Sequence, residues 1–237
     1  MPRCCICCGR QLLPDEEHLC CVCMADLPLT HYWSMVHNPM ADKFNALVSA
    51  PGYERACALF YYSGGYRYIT QALKYSRNFG SGRFFARMLG ERLLAAGWAV
   101  DLVCPVPLHW TRRFRRGYNQ AEVIGREMAR QLGAAFEPRL LRRVRRTSSQ
   151  TKLSAGERAA NTAGAFEVRS GSAETSGAGE RKVFRPKLHS SIDRPLRILL
   201  IDDVFTTGAT VAACAAALRE VFGPEIRVSV ATLALAE

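Results

Sequence analysis

The sequence has no run of about 18 apolar residues, so no segment can span a bilayer as a helix. Its N-terminus lacks the apolar core of a secretory signal and carries cysteines and charges instead. A cytoplasmic location is the expectation, without membrane insertion. No glycine-rich loop ends in Gly-Lys-Ser or Gly-Lys-Thr, which disfavours P-loop triphosphatase chemistry. Acidic residues are scarce: 21 Asp and Glu face 32 Lys and Arg, a net charge of +11. The excess is concentrated. Residues 109–158 hold twelve Arg and one Lys against four Glu, a net of +9. Arginine suits planar recognition of phosphate better than lysine does. That concentration implies an anionic ligand: a pyrophosphate, a nucleotide or a nucleic-acid backbone.

What is abundant is cysteine at one end. Seven of the ten cysteines fall in the first 23 residues, as Cys4, Cys5, Cys7, Cys8, Cys20, Cys21 and Cys23. Two Cys-x-x-Cys pairs separated by a short loop are the spacing of a small zinc ribbon, each turn aiming two thiolates at one tetrahedral ion. Gly9 favours Cys5 and Cys8 as the first pair, with Cys20 and Cys23 as the second. Cys4 with Cys7 competes for the first place. A disulfide cluster fits poorly with a chain that carries no export signal, and no βαβ unit starts here to support a thioredoxin-like dithiol. His18, His31 and His37 are lesser ligand candidates. Cys57, Cys104 and Cys214 lie in apolar segments and read as small core residues.

At 237 residues, 49% of them hydrophobic, the chain can hold one sizeable domain plus a small module. The expected division is a zinc-ribbon module and connector over 1–50 and a main domain over 51–237. Residues 24–55 carry little pattern and read as the connector. Strands are expected at 56–62, 102–106, 140–144, 197–201 and 228–233, and helices over 66–75, around 84–93, after Asn119 and after Gly208. Alternation of the two predicts a largely parallel α/β sheet. Residues 169–195, rich in Gly and Ser, read as a flexible insertion.

The segment from Arg197 to Thr210 carries the chemistry. An apolar strand, Ile198 to Ile201, runs into Asp202 and Asp203. In open α/β sheets ligands sit outside the carboxyl ends of strands, where these acids fall. Thr206, Thr207 and Thr210 offer hydroxyls, and Gly208 allows close backbone approach. Val211, Cys214, Ala215 and Leu218 then recur at helical spacing, and a helix N-terminus favours an anion. Carboxylates cannot bind phosphate. They suit ribose hydroxyls, or Mg²⁺ shared with phosphates. The segment resembles the phosphoribosyl-pyrophosphate (PRPP) signature of type I phosphoribosyltransferases. That resemblance implies that Asp202 and Asp203 address the ribose hydroxyls, and that Val204, Phe205, Thr206, Thr207, Gly208, Ala209 and Thr210 form the PRPP loop.

Three further stretches precede it. Pro105-Val106-Pro107 leads into Trp110, Arg112, Arg113, Arg115 and Arg116. Arg116-Gly117-Tyr118-Asn119-Gln120 opens a helix. Thr147, Gln150, Lys152, Leu153, Arg158 and Asn161 follow. With the cysteine pairs and the Asp-Asp loop, in this order, they resemble the ComF family over nearly the whole chain. The resemblance implies a type I phosphoribosyltransferase fold, structural Zn²⁺, Mg²⁺ with PRPP, and a link to DNA uptake in competent bacteria. It implies a pyrophosphate loop at Val106 and Pro107. Arg112, Arg113 and Arg116 are then charge partners of that pyrophosphate or a solvated basic surface, and Asn119 and Gln120 are helix caps. Lys74 reads as a solvated helix lysine first and a phosphate contact second. Three functions are left open: a phosphoribosyltransferase of unnamed acceptor, a factor handling single-stranded DNA through Trp110, Phe114 and Tyr118, and a non-catalytic PRPP or nucleotide sensor.

Overall fold

The apolar runs at 56–61, 102–105, 198–201 and 228–235 become strands buried on both faces, while the run at 211–218 becomes a helix. The computed structural model describes residues 3–76, 78–108, 111, 114, 116–144, 164–169 and 194–236. Its strands are β1 (Ala56–Tyr61), β2 (Leu102–Pro105), β3 (Ala135–Phe136), β4 (Leu141–Arg143), β5 (Phe166–Val168), β6 (Arg197–Phe205) and β7 (Arg227–Leu235). Its α-helices are α1 (Cys21–Ala25), α2 (Pro39–Asn45), α3 (Arg67–Tyr75), α4 (Phe79–Ala95), α5 (Gln120–Leu132) and α6 (Ala209–Phe222). Five strands form one sheet in the order β1-β7-β6-β2-β3, every neighbouring pair parallel. The expected α/β class with a parallel sheet is therefore the one observed. Ile198–Ile201 and Val228 with Val230–Leu235 are almost wholly buried, as helices on both faces of a sheet require.

Three expectations are corrected. The signature strand does not stop at Ile201. It continues in register with β7, pairing Asp202 with Thr232 and Phe205 with Leu235. The two acids therefore sit within the second half of the strand, and the loop proper is Thr206–Gly208. The 24–55 segment is also more than a connector. Asn38 caps α2, accepting from the amides of Met40 and Ala41 while its own amide donates to Ala56 O at 3.0 Å. Pro39 follows at the first helical position, where a missing N–H costs nothing. Met40, Ala41 and Phe44 are then fully buried in the core. The strand expected over 140–144 forms, but β4 pairs antiparallel with β5 outside the main sheet. The insertion expected over 169–195 lies mostly outside the described residues.

Two ion networks tie the elements together. Glu54, just before β1, is 1% exposed and meets Arg219 of α6 at 2.8 Å and Arg227 of β7 at 3.4 Å. Asp101, before β2, receives Arg194 at 2.7 Å and Arg197 at 2.8 Å, and also accepts the Arg197 amide. The second network fastens the start of β6 to the start of β2.

Candidate functional site

The sheet order locates a site before any side chain is considered. From β2 the chain passes through α5 to β3 on one side. From β6 it passes through α6 to β7 on the other. β2 and β6 are neighbours, so their connections leave in opposite directions. Right-handed crossovers then place α5 and α6 on opposite faces, and a crevice opens at the carboxyl ends of the two strands. Contacts agree: Gly125 of α5 lies against Val103 and Ile201. Cys214 of α6 lies near Cys104 and Asp202, residues of the other parity, and burial pushes its thiol well up. The crevice is rimmed by Asp202 and Asp203 with their loop, and by Val106 and Pro107 after β2. Val106 N donates to Ile201 O at 2.8 Å, which holds the two rims together.

Alternation along the strand sends the two carboxylates to opposite faces. Asp203 is 9% exposed and turns toward α3, where Lys74 Nζ stands 2.8 Å from its Oδ2. Lys74 is therefore a paired, three-quarters buried lysine and not a solvated one. Burial opposes its charge, but Asp203 outweighs this and raises its pKa. Asp202 turns toward α6 and accepts the Asp203 amide at 2.8 Å. Burial first, and the Asp203 charge second, push the Asp202 carboxyl up to about 7.

A carboxyl whose folded pKa lies above its unfolded one binds its proton more tightly in the folded state. Stability then falls as pH rises from about 4 to about 7. Asp202→Asn is therefore expected to match the wild type near pH 4 and to exceed it at pH 8. Urea denaturation at the two pH values measures this. An equal or larger deficit of the variant at pH 8 contradicts it.

The loop is built to present backbone. Gly208 adopts φ +81°, and a β-carbon there meets the Phe205 ring at 2.8 Å. Gly208 caps α6 with no side-chain hydrogen bond, so the first amides of a 14-residue helix face the crevice without a side-chain acceptor. Thr206 is exposed, and Thr207 and Thr210 are half-buried. Ala209 is 7% exposed, and Val204 is half-buried in the strand. Phe205 is 2% exposed, so its role is to support Gly208 from below. Gly208→Ala is expected to cost roughly 1–2 kcal/mol for the left-handed conformation, plus the clash. A denaturation free energy equal to wild type contradicts that.

The Arg116–Gln120 stretch docks the second rim. Gly117 takes φ +79°. The Tyr118 hydroxyl donates to Leu73 O of α3, and its ring packs edge-on against Phe79 at 4.7 Å. Asn119 caps α5 through Ala121 N and donates its amide to Val106 O at 2.9 Å. Arg116 donates to Gln120 Oε1 at 3.2 Å and lies 5.6 Å from the Tyr75 ring centroid. Tyr118 is thus engaged in this docking through its hydroxyl and one edge contact. Phe114 is 90% exposed. Trp110, Arg112, Arg113, Arg115, Thr147, Gln150, Lys152, Leu153, Arg158 and Asn161 lie outside the described residues.

At the other end, Cys5, Cys8, Cys20 and Cys23 bring their sulfurs within 4.8 Å of one another. Cys8 Sγ and Cys20 Sγ are 3.8 Å apart. A tetrahedral ion with bonds of about 2.3 Å spaces its sulfurs by nearly the same distance. The donor set fits a structural metal, and the first pair brought together is Cys5 with Cys8. Cys4 is exposed, and Cys57, Cys104 and Cys214 are fully buried. His18 instead packs edge-on against Phe84 at 5.4 Å. His31 packs on Trp33, and His37 on Tyr53. Among the described residues, no helix is long and apolar enough to cross a membrane.

A parallel α/β domain with an acidic strand end beside a helix N-terminus, joined to a four-cysteine cluster, is the class these features define. No family model matches the chain. Competence protein F of Haemophilus influenzae is 29% identical over 189 residues, 78% of this chain and 75% of that protein. DNA utilization protein YhgH of Salmonella typhimurium is 27% identical over 232 residues, 91% and 90% of the two chains. YhgH of Escherichia coli is 29% identical over 216 residues, 89% and 82% of the two chains. Among solved structures, adenine phosphoribosyltransferase of Leishmania tarentolae aligns over 72% of this chain and 74% of its own, at 17% identity and a TM-score of 0.31. Over most of its length the chain is similar to competence protein F and to the YhgH proteins.

Proposed function

We propose that the chain binds Mg²⁺-PRPP in the crevice between β6 and β2. The observation that carries this reading is the β6–α6 unit. Two adjacent carboxylates are followed by two threonines and a left-handed glycine that opens a helix no side chain caps. The loop from Thr206 to Thr210 takes the 5′-phosphate through hydroxyls and backbone amides. Asp202 and Asp203 accept hydrogen bonds from the ribose hydroxyls. Mg²⁺ enters with the phosphates and neutralises part of their charge. Lys74 holds Asp203 in the ligand-free state and turns to the pyrophosphate when the ribose takes its place. Val106 and Pro107 line the pyrophosphate side, with Arg112, Arg113 and Arg116 as charge partners. Zn²⁺ in Cys5, Cys8, Cys20 and Cys23 holds the N-terminal module together.

In the transferase reading, the bond from C1 of the ribose to pyrophosphate breaks through an oxocarbenium-like state, and a nitrogen nucleophile forms the new bond. The protein's part is positioning and charge stabilisation. The relatives' names, competence and DNA utilization, support a role linked to DNA uptake. A thermal-shift assay tests the binding. At a hundred times its dissociation constant, a ligand stabilises by about 2.7 kcal/mol. PRPP with Mg²⁺ is expected to raise the melting temperature, and the shift is expected to vanish in Asp203→Asn. No shift in the wild type rejects the proposal. Pyrophosphate release with ammonia, bases or nucleosides marks a transferase. Binding without release across that panel marks a sensor.

A further inference from the structure

α4 starts at the crevice and ends far from it. Phe79, its first residue, packs on Tyr118 beside the crevice rim. The helix then runs 17 residues to Ala95, roughly 25 Å. Two buried tryptophans meet at its far end, where the Trp98 indole donates to Trp33 O at 2.8 Å. Each carries an arginine. Arg55, the residue before β1, stands 4.2 Å from the Trp98 ring centroid and donates through Nη2 to Trp33 O at 2.9 Å. Arg92 of α4 stands 5.3 Å from the Trp33 ring centroid and donates through Nη1 to Met88 O at 3.0 Å. The His31 ring packs on Trp33 as well, at 5.0 Å, from a backbone held at φ +59°. Among the described residues His31 is the one non-glycine residue in the left-handed region. Strain of that kind persists where the surroundings over-determine it, and it gathers at binding sites.

Among the described residues neither arginine has a carboxylate partner. Glu54, the acid next to Arg55, is committed to Arg219 and Arg227. The exposed Glu91 is the acid whose charge reaches Arg92, and burial lowers the pKa of both guanidiniums. Arg55 Nε is buried without an acceptor, so its fork is held there at a cost. A ring contact occupies only the face of a guanidinium. The N–H groups lie in its plane and still seek acceptors. The indoles fix those planes, which preorganises both forks for oxyanions. Both indoles are buried beneath them, so a nucleic-acid base finds no ring to stack on. Met35 and Val36, which follow in the chain, are exposed. They offer an apolar contact that a sugar–phosphate backbone does not use. We propose that Trp33, Met35, Val36, Arg55 and Arg92 form a docking surface for an acidic segment of a partner protein. Its carboxylates meet the two guanidiniums, and a neighbouring apolar side chain rests on Met35 and Val36. The surface is separate from the crevice between β6 and β2 and does not depend on PRPP binding.

The test is fluorescence anisotropy with the full chain and two sets of short labelled peptides. One set carries adjacent Asp or Glu residues beside a Leu, Ile or Phe, in every order. The other carries Asn and Gln in place of the acids. Acidic peptides are expected to bind in preference to their amide counterparts, and more weakly as salt rises from about 50 to 200 mM. Arg55→Lys keeps the charge but loses the fork, and Arg92→Ala removes the other fork. Each is expected to weaken the tightest peptide about tenfold. Val36→Asp, at an exposed position where folding is not at stake, is expected to weaken it as well. Circular dichroism of each variant establishes that it folds. An acidic set that binds no better than the amide set overturns the proposal, as does unchanged affinity in folded Arg92→Ala and Val36→Asp. Displacement of the peptide by dT12, with dT12 binding itself lost in Arg55→Lys, assigns the surface to nucleic acid and overturns it too.

Discussion

Replacing Cys20 by serine, or stripping the metal with a chelator, is expected to unfold the N-terminal module. The module's own core is small: Cys5, Leu12, Leu19 and Cys20 are its buried residues before α1. A segment of that size lacks the apolar area to fold alone, and a metal ion held by the four cysteines would supply the difference. Structural zinc in small modules is worth on the order of 10 kcal/mol at neutral pH, so the effect should be all-or-none. The loss should also reach α3. Tyr66, one residue before that helix, donates its hydroxyl to Cys23 O at 3.2 Å. Gly65 lies so close to Cys7 O that a β-carbon there stands at 2.8 Å from it. Metal analysis is expected to find one zinc per chain in the wild type, in Cys4→Ser and in Cys21→Ser, and none in Cys20→Ser. Limited proteolysis should open Cys20→Ser first within the module. A full metal content in Cys20→Ser, or its loss in Cys4→Ser, contradicts the assignment.

Glu54→Ala is expected to be the most damaging substitution in the main domain. Glu54 is 1% exposed at its side chain and Arg219 9%. Removing the carboxylate strands a guanidinium in the interior, and breaking one side of a buried pair costs about 3–5 kcal/mol. The damage is transmitted to the proposed phosphate loop, because Arg219 belongs to α6, whose N-terminus forms that loop. Glu54→Gln keeps the shape and some hydrogen bonding, and should recover part of the loss. Arg227→Ala should cost less, since that side chain is 43% exposed and its carboxylate contact is longer. Urea denaturation of the three variants gives the order directly. Glu54→Ala within 1 kcal/mol of wild type contradicts the account.

Much of this was legible in the chain. The doubly buried strands announced themselves as unbroken apolar runs, because a sheet covered on both faces leaves no polar positions. The cysteine pairs were legible because a tetrahedral site imposes short spacing on its ligands. The end of β6 is hidden in the sequence because Asp202 and Asp203 interrupt an apolar pattern, whereas backbone pairing with Thr232 and Leu235 of β7 carries the strand onward. The Lys74 pair is hidden in the sequence because its partner Asp203 lies far along the chain, and no local periodicity reports such a pair. The helix at Pro39–Asn45 had a usable signal, Asn38 before Pro39, but it is too short to show a period.

The central claim is a phosphoribose site at the carboxyl end of β6, and calorimetry tests it most directly. PRPP titrated into the wild-type protein with Mg²⁺ is predicted to bind one site per chain. Binding is predicted to weaken below about pH 7 as Asp202 takes up a proton, and to be lost in Asp202→Asn/Asp203→Asn. Equal heats and equal affinity in that double variant would contradict the site.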